Sequence, residues 1–456
     1  MIPVTLDDIA ATVGGTCTGD GSATADGITI DSRGVRPGDL FVALPGERVD
    51  GHDFAADAVA GGAVAALTAR PVTGVACVVV TDVVVALARL AGSQRSRLGA
   101  LVVGITGSTG KTSTKDLVAQ VLATAGETVA PQGSYNNEIG LPLTVLQAGA
   151  TTRFLVLEMS ARGVGHIRAL CAVAPPDVAV VLNVGVAHLG VFGSREAIAA
   201  AKGEIIEGLG PGDLAVLNAD DAVVSAMATR TGAAVVRFGL DPAADYRAEA
   251  VSLDESGRAS FTLVTPRGRA PVTLAVHGGH QVGNALAAAA VAAHAGLDVT
   301  ETAAALAAAT PRSRWRMEVR ETPEGVTVIN DAYNANPDSM RAALEALAAT
   351  GADRRTWAVV GPMAELGDAT AEEHRRVGRL AAELDVDRLV VVGDEAGAVL
   401  DGWVGDAHHV ADVDAAVALL RAALRPGDVV LVKASRSAGL ERVALALTPD
   451  RSEVAR

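Results

Sequence analysis

Residues 101–115 read LVVGITGSTGKTSTK, and this stretch predicts a phosphate-binding loop between a buried strand and a helix. The apolar run at residues 101–105 is typical of a buried strand, and the segment that begins at Thr112 (TSTKDLVAQVLATAG) is typical of a helix. Between them, glycines free backbone N–H groups, Lys111 supplies an ammonium and Thr112 a hydroxyl for magnesium. The helix N-terminus and its dipole favour an anion at the same place.

The loop departs from the usual GxxxxGK[ST] spacing, which would place its first glycine where this chain has Ile105. Its glycines lie instead at positions 104, 107 and 110. A glycine turn that binds no ligand is the alternative. The strand before the loop and the helix after it favour the phosphate-binding interpretation.

Lysine is rare in this chain, with four lysines against thirty-four arginines, so each remaining lysine is a candidate for function. A compact ammonium on a flexible stem is not replaced by the planar guanidinium of arginine. Lys111 and Lys115 lie in the loop region, and the others are Lys202 and Lys433. For Lys115 two interpretations stay open, a solvated residue of the first helical turn or a phosphate contact.

The composition indicates a folded protein that does not bind nucleic acid. A length of 456 residues suggests about three domains, and 50% hydrophobic residues allow sizeable cores. A net charge of -15 and 3% aromatic residues argue against a nucleic-acid surface, which needs a basic face and stacking side chains. Anionic ligands must therefore be bound by local clusters of cations.

The cysteines and the N-terminus predict a cytoplasmic protein. Cys17, Cys77 and Cys171 are odd in number and lack metal-ligand spacing, so we expect buried thiols and neither a disulfide framework nor a zinc site. The first ten residues lack a basic region, and polar residues interrupt the most apolar stretch, 75–92. We expect no membrane insertion and a monomer.

The pattern of apolar runs predicts an α/β fold with three domains. Residues 1–97 alternate short strands with glycine turns and form a small mixed N-terminal domain. Residues 98–310 have the strand and helix alternation of a doubly wound parallel sheet around the phosphate-binding loop, with a hairpin at 260–278 expected beside that sheet. Residues 311–456 restart the pattern as a Rossmann-like, nucleotide-fold-like C-terminal domain.

Several polar residues directly follow apolar strands, where ligands of open α/β sheets bind. Glu158 could hold magnesium through its oxygens, and the alternative is a helix-capping or salt-bridged glutamate. His188 ends the next such run, although a lone histidine is as often structural as a ligand. Lys202 lies on a predicted helix, where a surface lysine is the alternative.

A second set of candidates lies in the last third of the chain. Asn284 begins an alanine-rich helix, where an amide caps the helix or contacts an adenine edge. The loop at 329–340, INDAYNANPDSM, follows a strand, and turn chemistry alone could explain its asparagines. Lys433, Ser435 and Arg436 follow the last strand and could contact an anionic group.

Taken in order, these motifs and several others resemble the Mur ligase family along nearly the whole chain. The motifs are DSR (31–33), DGH (50–52), TGSTGKT (106–112), NNEIGLP (136–142), LEMS (157–160), NVGVAHLGVFGS (183–194), AKGEI (201–205), HQVGN (280–284), INDAYNANPDSM (329–340), GPMAELGD (361–368) and VKASR (432–436).

The resemblance implies a ligase that uses ATP to form an amide bond in peptidoglycan precursor synthesis. The N-terminal domain would bind a UDP-sugar, the central domain ATP, and the C-terminal domain would close over the nucleotide. In the branch that the motifs resemble most, the terminal carboxylate of UDP-N-acetylmuramoyl-tripeptide attacks the γ-phosphate of ATP to give an acyl phosphate. The amine of D-alanyl-D-alanine then displaces phosphate.

The resemblance also implies roles for individual residues. Thr112 and Glu158 would hold one Mg²⁺ ion, and His188 with Lys202 as a carbamate would hold a second. The implied catalytic residues are Lys111, Glu158, His188 and Lys202. The implied ATP-binding residues are Thr106, Gly107, Ser108, Thr109, Gly110, Lys111, Thr112, Ser113, Asn284, Arg316, Asp331, Tyr333 and Asn334. The implied substrate-binding residues are Asp31, Ser32, Arg33, Asn136, Asn137, Asn336, Ser435 and Arg436.

One departure from the family pattern leaves a residue assignment open. The family often has glycine before the arginine aligned at Arg316, whereas this chain has Trp315, so Arg314 could be the functional arginine instead. Asn336 stands where other members have histidine, and the dipeptide-adding branch commonly shows NANP.

Two rival functions remain at this point. A sister ligase that adds a single amino acid, diaminopimelate or lysine, shares the DSR and DGH signals, but its DNPR signature is absent here. A catalytically silent nucleotide-binding regulator would be expected to lose Lys111, Glu158, His188 or Lys202, and all four are present. Assays with different acceptor amines separate these functions.

Overall fold

The computed structural model describes residues 1–46, 49–186 and 189–448. These residues form an α/β fold with three larger sheets, each made by a separate stretch of the chain, so the predicted α/β class is confirmed. The strands of the three sheets fall within residues 16–79, 101–277 and 318–433. The domain boundaries at 97 and 310 stay predictions.

The first stretch forms a five-stranded sheet in the order β2-β7-β6-β5-β4, parallel except for β2, and a separate antiparallel pair, β1-β3. Its elements are β1 (Val4–Thr5), α1 (Leu6–Val13), β2 (Thr16–Cys17), β3 (Thr24–Ala25), β4 (Gly27–Thr29), β5 (Asp39–Val42), α2 (Ala55–Ala60), β6 (Ala65–Thr68), β7 (Cys77–Val79) and α3 (Val83–Ser96).

The second stretch forms a nine-stranded sheet. Its elements are β8 (Leu101–Thr106), α4 (Lys111–Ala123), β9 (Thr128–Val129), α5 (Gly140–Val145), β10 (Phe154–Glu158), α6 (His166–Val173), β11 (Val178–Val181), α7 (Leu189–Phe192), α8 (Arg195–Glu207), β12 (Leu214–Asn218), α9 (Ala222–Ala226), β13 (Ala234–Gly239), β14 (Tyr246–Leu253), β15 (Arg258–Thr265), β16 (Gly268–His277), α10 (Gln281–His294) and α11 (Val299–Ala308). The strand order is β16-β15-β14-β13-β12-β11-β8-β10-β9.

Helices cover both faces of this sheet, which explains why its central strands are apolar throughout. On β8, Val103 and Ile105 pack in one buried cluster with α4 and α10, whereas Val102 packs in another with α5, α6 and α8. The second cluster also contains Leu87 and Leu90 of α3, so the N-terminal stretch shares a core with the central one. The sheet is therefore doubly wound.

The predicted hairpin belongs to the central sheet itself rather than lying beside it. β15 and β16 pair antiparallel, and β15 is hydrogen-bonded to β14, so the two strands extend the edge of the nine-stranded sheet.

The helix after the phosphate-binding loop ends at Ala123, before the end of the segment that was predicted to be helical. Thr124 is its C-cap, and its N–H still bonds to carbonyls of the last turn.

The third stretch forms a six-stranded sheet in the order β17-β18-β22-β19-β20-β21, parallel except for β17. Its elements are β17 (Glu318–Glu321), β18 (Thr327–Asn330), α12 (Pro337–Thr350), β19 (Thr356–Val360), α13 (Thr370–Glu383), β20 (Arg388–Val392), β21 (Ala407–Val410), α14 (Val413–Ala423), β22 (Val429–Lys433) and α15 (Glu441–Leu447). Helices α12 and α13 pack on one face, α14 and α15 on the other. In the described part of the chain, the structure contains no helix with both the length and the hydropathy needed to cross a bilayer.

Candidate functional site

A polar cavity of about 410 Å³ lies where the loop after β8, the end of β10 and the C-terminal stretch meet. The carboxyl ends of parallel strands converge here, as the open α/β architecture requires. The residues that line it are Ser108, Thr109, Gly110, Lys111, Thr112, Ser113, Ser134, Asn136, Asn137, Glu138, Glu158, Ser160, Ala161, Arg162, His166, Arg316, Tyr333, Asn334, Asn336 and Ser339.

The loop after β8 has the geometry of a phosphate cradle. Gly110 has φ +79°, a conformation that glycine adopts without strain, and α4 begins at the next residue. Lys111 Nζ donates to the carbonyl of Gly107 at 2.7 Å, so the ammonium folds back over the loop. Asn183 Oδ1 accepts the N–H groups of Ser108 and Thr109, each at 2.9 Å, which fixes the loop to the end of β11.

The charge of Lys111 is sensitive to its surroundings. Burial lowers the pKa of this ammonium, the nearby Glu158 opposes that effect, and Arg316 lowers the pKa further. A polyanion bound in the loop would supply the negative charge that favours the ammonium form.

Glu158 and Thr112 offer oxygen donors at one point of the cavity. Glu158 ends β10 and is 1% exposed; it accepts a hydrogen bond from Thr112 Oγ1 at 2.9 Å and from Asn136 Nδ2 at 2.7 Å. No group of three or more His, Cys, Asp or Glu side chains that could hold a metal occurs among the described residues. Oxygen donors in this number suit Mg²⁺, which keeps waters and substrate phosphates as its other ligands.

Lys202 lies on α8 and is 4% exposed. Within the ranges that the structure describes, its ammonium has no hydrogen-bond or ion-pair partner. Burial, and then the positive charge of Lys111, hold the pKa of Lys202 well below its ordinary value, so the neutral amine is favoured. The alternative of a surface lysine is wrong. His188, the other residue predicted near this place, lies outside the described residues.

The C-terminal stretch brings Arg316, and not Arg314, into the cavity. Its guanidinium lies 3.3 Å from Thr112 Oγ1 and 3.4 Å from Ser134 Oγ, and it stacks on the ring of Tyr333 at 4.2 Å. Its Nε is buried without a hydrogen-bond partner in the described structure, so this guanidinium can still donate to an anionic ligand.

A second cavity, of about 170 Å³, continues from the loop toward the nucleotide-fold-like stretch. Asn284 and Asp331 line it, whereas Tyr333 and Asn334 line the first cavity. Asn284 Oδ1 accepts from Thr114 Oγ1 at 3.0 Å and its Nδ2 donates to Gln281 Oε1 at 2.8 Å, so the amide is already oriented. The two cavities have the adjacent arrangement that a nucleoside and its phosphates need.

Lys433 lines the second cavity and pairs there with an anionic group of the protein itself. Its Nζ lies 2.5 Å from Asp331 Oδ2 and 2.9 Å from the Asn334 carbonyl, and its side chain is buried. Burial lowers the pKa of Lys433, and Asp331 opposes that effect. Lys115 is also buried and fits neither of its two predicted interpretations, because it donates to the carbonyls of Pro131 and Gly133 at 2.8 and 3.2 Å.

The predicted substrate-binding residues fall into two groups. Asn136, Asn137 and Asn336 line the first cavity. The remaining ones, Asp31, Ser32, Arg33, Ser435 and Arg436, do not line it.

The residues outside the cavity have other partners. Arg33 forms two hydrogen bonds with the carboxylate of Asp31, at 2.9 and 2.8 Å, and these lower the pKa of Asp31 to about 2. Arg436 pairs with Glu441 at 2.8 Å and stacks on Trp315 at 4.6 Å. Ser435 Oγ accepts from the Ala364 N–H at 2.8 Å.

Sequence analysis missed Ser134, Glu138, Arg162 and His166, all of which line the first cavity. The rule that selected Glu158 could have found Arg162, since the segment SARG directly follows the same strand. Ser134 and Glu138 lie in a loop whose position depends on Lys115, and residue spacing does not indicate that contact.

Comparison with known proteins finds three matching families, one for each stretch of the chain. Residues 24–93 match the family described as Mur ligase family, catalytic domain; residues 105–292 match the Mur ligase middle domain; and residues 315–436 match the Mur ligase glutamate ligase domain.

Similar full-length proteins and solved structures agree with these matches. The UDP-N-acetylmuramoyl-tripeptide--D-alanyl-D-alanine ligase of Mycobacterium tuberculosis is 52% identical over 99% of this chain and 98% of that protein. A crystal structure of MurF from Acinetobacter baumannii superposes with a TM-score of 0.88 at 32% identity over 98% of both chains. MurF ligase from Thermotoga maritima in complex with ADP has a TM-score of 0.79 at 33% identity, covering 92% of this chain and 96% of that one.

Proposed function

Because the chain belongs to the Mur ligase family, we propose that it joins D-alanyl-D-alanine to UDP-N-acetylmuramoyl-tripeptide, using ATP. The observation that carries this proposal is the 52% identity to a ligase of that name over 99% of the chain. The cavity supports it, because the cationic groups of Lys111 and Arg316 meet the oxygen donors of Thr112 and Glu158 there.

The reaction that we propose begins with two groups that repel each other, a carboxylate and a triphosphate. Cations must bring them together, and preorganised charges lower the cost of doing so. The loop N–H groups and Lys111 bind the phosphates, as the ADP complex of the Thermotoga relative supports for the nucleotide. Arg316 lies on the C-terminal side of the same cavity and can contact the γ-phosphate.

Each half of the reaction forms one bond and breaks one. The terminal carboxylate oxygen of the tripeptide bonds to the γ-phosphorus of ATP, and the bond to the bridging oxygen of ADP breaks. The amine nitrogen of D-alanyl-D-alanine then bonds to the acyl carbon, phosphate leaves, and the amine loses a proton. The products are the amide, ADP and phosphate.

Magnesium would be held by Glu158 and Thr112, whose oxygens lie 2.9 Å apart at the edge of the phosphate loop. Mg²⁺ supplies positive charge to the phosphate oxygens when it is bound. By likeness to the family, His188 and Lys202 would hold a second Mg²⁺. The chain itself contributes the orientation of Glu158, which Asn136 fixes from the other side of the carboxylate.

We further propose that Lys202 acts as a carbamate. Its neutral amine nitrogen would bond to the carbon of CO₂ and lose a proton, which gives an anionic oxygen donor. The low pKa of this buried amine and its lack of any partner in the described structure support that reaction. A guanidinium cannot react in this way, which accounts for a lysine in a chain of arginines.

We assign the domains by the same likeness. Residues 1–97 would bind the UDP-sugar with Asp31, Ser32 and Arg33, residues 98–310 ATP, and residues 311–456 would close over the nucleotide. Asn284, Asp331, Tyr333 and Asn334 would contact adenosine. The other proposed substrate contacts are Asn136, Asn137, Asn336, Ser435 and Arg436. The active protein would be a monomer in the cytoplasm.

Phosphate release tests the proposal directly. The protein is incubated with ATP, magnesium and UDP-N-acetylmuramoyl-tripeptide, and D-alanyl-D-alanine is compared with single amino acids as the acceptor. We expect release that depends on the dipeptide and on the tripeptide together. Release with diaminopimelate or lysine as the acceptor, when UDP-N-acetylmuramoyl-dipeptide replaces the tripeptide, would favour the sister ligase. No release with any acceptor would favour the silent regulator.

A further inference from the structure

Two donors with no assigned role, Arg162 and His166, lie in the first cavity with the proposed phosphate site. Both side chains are exposed to solvent there. The Arg162 guanidinium makes no hydrogen bond or ion pair with any residue that the structure describes. Arg168, six residues later, differs in this respect, because its guanidinium pairs with Glu207 at 3.0 Å.

The segment that bears Arg162 and His166 is fixed at both ends. The Ser160 N–H donates to the Asn136 carbonyl at 2.9 Å. Glu204, buried at 2% exposure, accepts the Gly165 N–H at 2.5 Å and the Arg168 N–H at 2.9 Å. The two donors therefore lie on a segment that is already held in the absence of a ligand.

The hydrogen-bonding role of the imidazole follows from its neighbour. His166 Nδ1 accepts the Arg162 N–H at 3.4 Å, so in the neutral ring the hydrogen is on Nε2. The Nε2–H of His166 and the unpaired guanidinium of Arg162 are two kinds of donor on one short segment that lines the cavity. A planar carboxylate suits them, because the guanidinium fork can donate to both of its oxygens.

The position of this segment relative to the chemistry narrows the ligand. Arg162 follows Glu158 by four residues, so this part of the cavity directly adjoins the proposed magnesium site. The proposed function already assigns Lys111 and Arg316 to the phosphates, and the reacting carboxylate must lie against the γ-phosphate that they hold. An anion bound by Arg162 and His166 is therefore a second, non-reacting group.

We propose that Arg162 and His166 form a subsite for a non-reacting carboxylate of a peptide substrate. This inference rests on the proposed function and extends it to substrate recognition. Two sources share this chemistry: the second carboxylate of a diaminopimelate residue at the third position of the tripeptide, and the C-terminal carboxylate of the dipeptide. The adjoining magnesium site favours the tripeptide, because its reacting carboxylate must approach the γ-phosphate there.

Steady-state kinetics of Arg162→Gln test the subsite. We expect the KM of one peptide substrate to rise roughly 10- to 100-fold, as for the loss of a charge-assisted hydrogen bond, with kcat and the KM of ATP changed less than about twofold. Arg162→Lys should recover part of the loss, because it keeps the charge without the fork. Arg168→Gln is the matched control, and we expect its KM values to stay at the wild-type level.

Substrate variants identify which carboxylate is bound. If the tripeptide supplies the carboxylate, replacement of its diaminopimelate by lysine raises the KM of the tripeptide for the wild type. For Arg162→Gln, the two tripeptides should then have the same KM. If the dipeptide supplies it, the same pattern appears when D-alanyl-D-alanine is replaced by its C-terminal amide. Either pattern supports the subsite.

Other outcomes overturn the subsite. A rise in the KM of ATP alone would show that Arg162 contacts a phosphate. KM values equal to those of the Arg168→Gln control would show that it binds no substrate. These results can be distinguished from a failure of the proposed function, because the variants are assayed only after the wild-type protein has formed the dipeptide-dependent product.

Discussion

At the scale of single residues, Lys202 is the side chain whose environment demands an explanation. A buried ammonium without a partner is unfavourable, so the amine is either neutral or modified. We expect Lys202→Ala to lower kcat at least tenfold, roughly the cost of losing a residue that supports a metal site. Phosphate release under saturating substrates measures the effect.

A short carboxylic acid such as acetate provides the control for this variant. If the lost group is a carboxylate-like oxygen donor, acetate should restore part of the activity of Lys202→Ala and should not stimulate the wild type. If the variant is as active as the wild type without acetate, Lys202 does not help to bind the second Mg²⁺.

Strand-end position predicted several cavity residues from sequence, because parallel strands bring their carboxyl ends to one edge. Lys111, Thr112 and Glu158 meet in this way. The contacts of Lys115 were not predicted, since its partners are carbonyls of a distant loop that no residue pattern indicates. Arg162 follows the same strand as Glu158 and could have been found by this rule, whereas only the shared cavity relates His166 to the site.

At the scale of elements, the short segment before β17 holds Arg316 between two residues of unusual backbone. Trp315 has φ +59° and Met317 has φ +49°, conformations that cost free energy in residues other than glycine. The loop after β18 holds this segment, because Asp331 accepts the Met317 N–H at 3.0 Å and the Tyr333 N–H donates to the Trp315 carbonyl at 3.2 Å.

Lys433 supports that loop from β22, so we expect Lys433→Met to displace Arg316 indirectly. Asp331 would then be a buried carboxylate without its cation, which costs about 3–5 kcal/mol of unfolding free energy. We expect kcat to fall while the KM of the tripeptide stays near its wild-type value. Urea unfolding and phosphate release measure the two effects.

A double variant separates positioning from stability. Lys433→Met combined with Asp331→Asn removes the unpaired charge and should regain stability without regaining kcat. Arg442→Met is the control, because it removes an exposed ion pair to Asp414 in the same stretch of chain. Loss of kcat in that control would argue against a specific role for Lys433.

Sequence patterns predicted most of the strands that carry the site but not their exact partners. Alternation of apolar residues identified the segment that forms β15 and β16, yet it does not specify the neighbouring strand, so the hairpin was wrongly expected outside the central sheet. The backbone conformations at Trp315 and Met317 were also beyond sequence analysis, since neither residue type favours positive φ.

At the scale of the whole molecule, the C-terminal stretch touches the central one through backbone groups. The Gly190 N–H donates to the Glu365 carbonyl at 3.1 Å, and α7 packs against the turn at 367–369. A Cβ at Gly190 would lie 2.6 Å from the backbone nitrogen of Gly367. The two stretches can therefore approach this closely only with glycine at position 190.

We expect Gly190→Ala to hinder the approach of the C-terminal stretch and with it the placement of Arg316. kcat should fall by about an order of magnitude or more, as small misplacements of catalytic groups commonly cause. Gly208→Ala is the control, because a Cβ there meets nothing within 4 Å. Phosphate release and small-angle scattering of both variants with bound nucleotide check the expectation; identical behaviour of the two would contradict it.

The three-part organisation was predictable because the apolar pattern restarts twice along the chain and family motifs occur in each part. The relative placement of the parts was not, since it also depends on a contact between glycine backbones and a carbonyl, which no residue pattern indicates. Sequence therefore indicated which residues serve the site, and the structure adds how the C-terminal ones reach it.

The scarcity of lysine has a practical consequence for chemical work on this protein. Three of the four lysines, Lys115, Lys202 and Lys433, are buried, and Lys111 lies in the wall of the cavity. Reagents that acylate primary amines therefore meet almost none on the outer surface. Lys111 is the main target left among the lysines, so acylation of lysine side chains in this protein concentrates at its phosphate-binding loop.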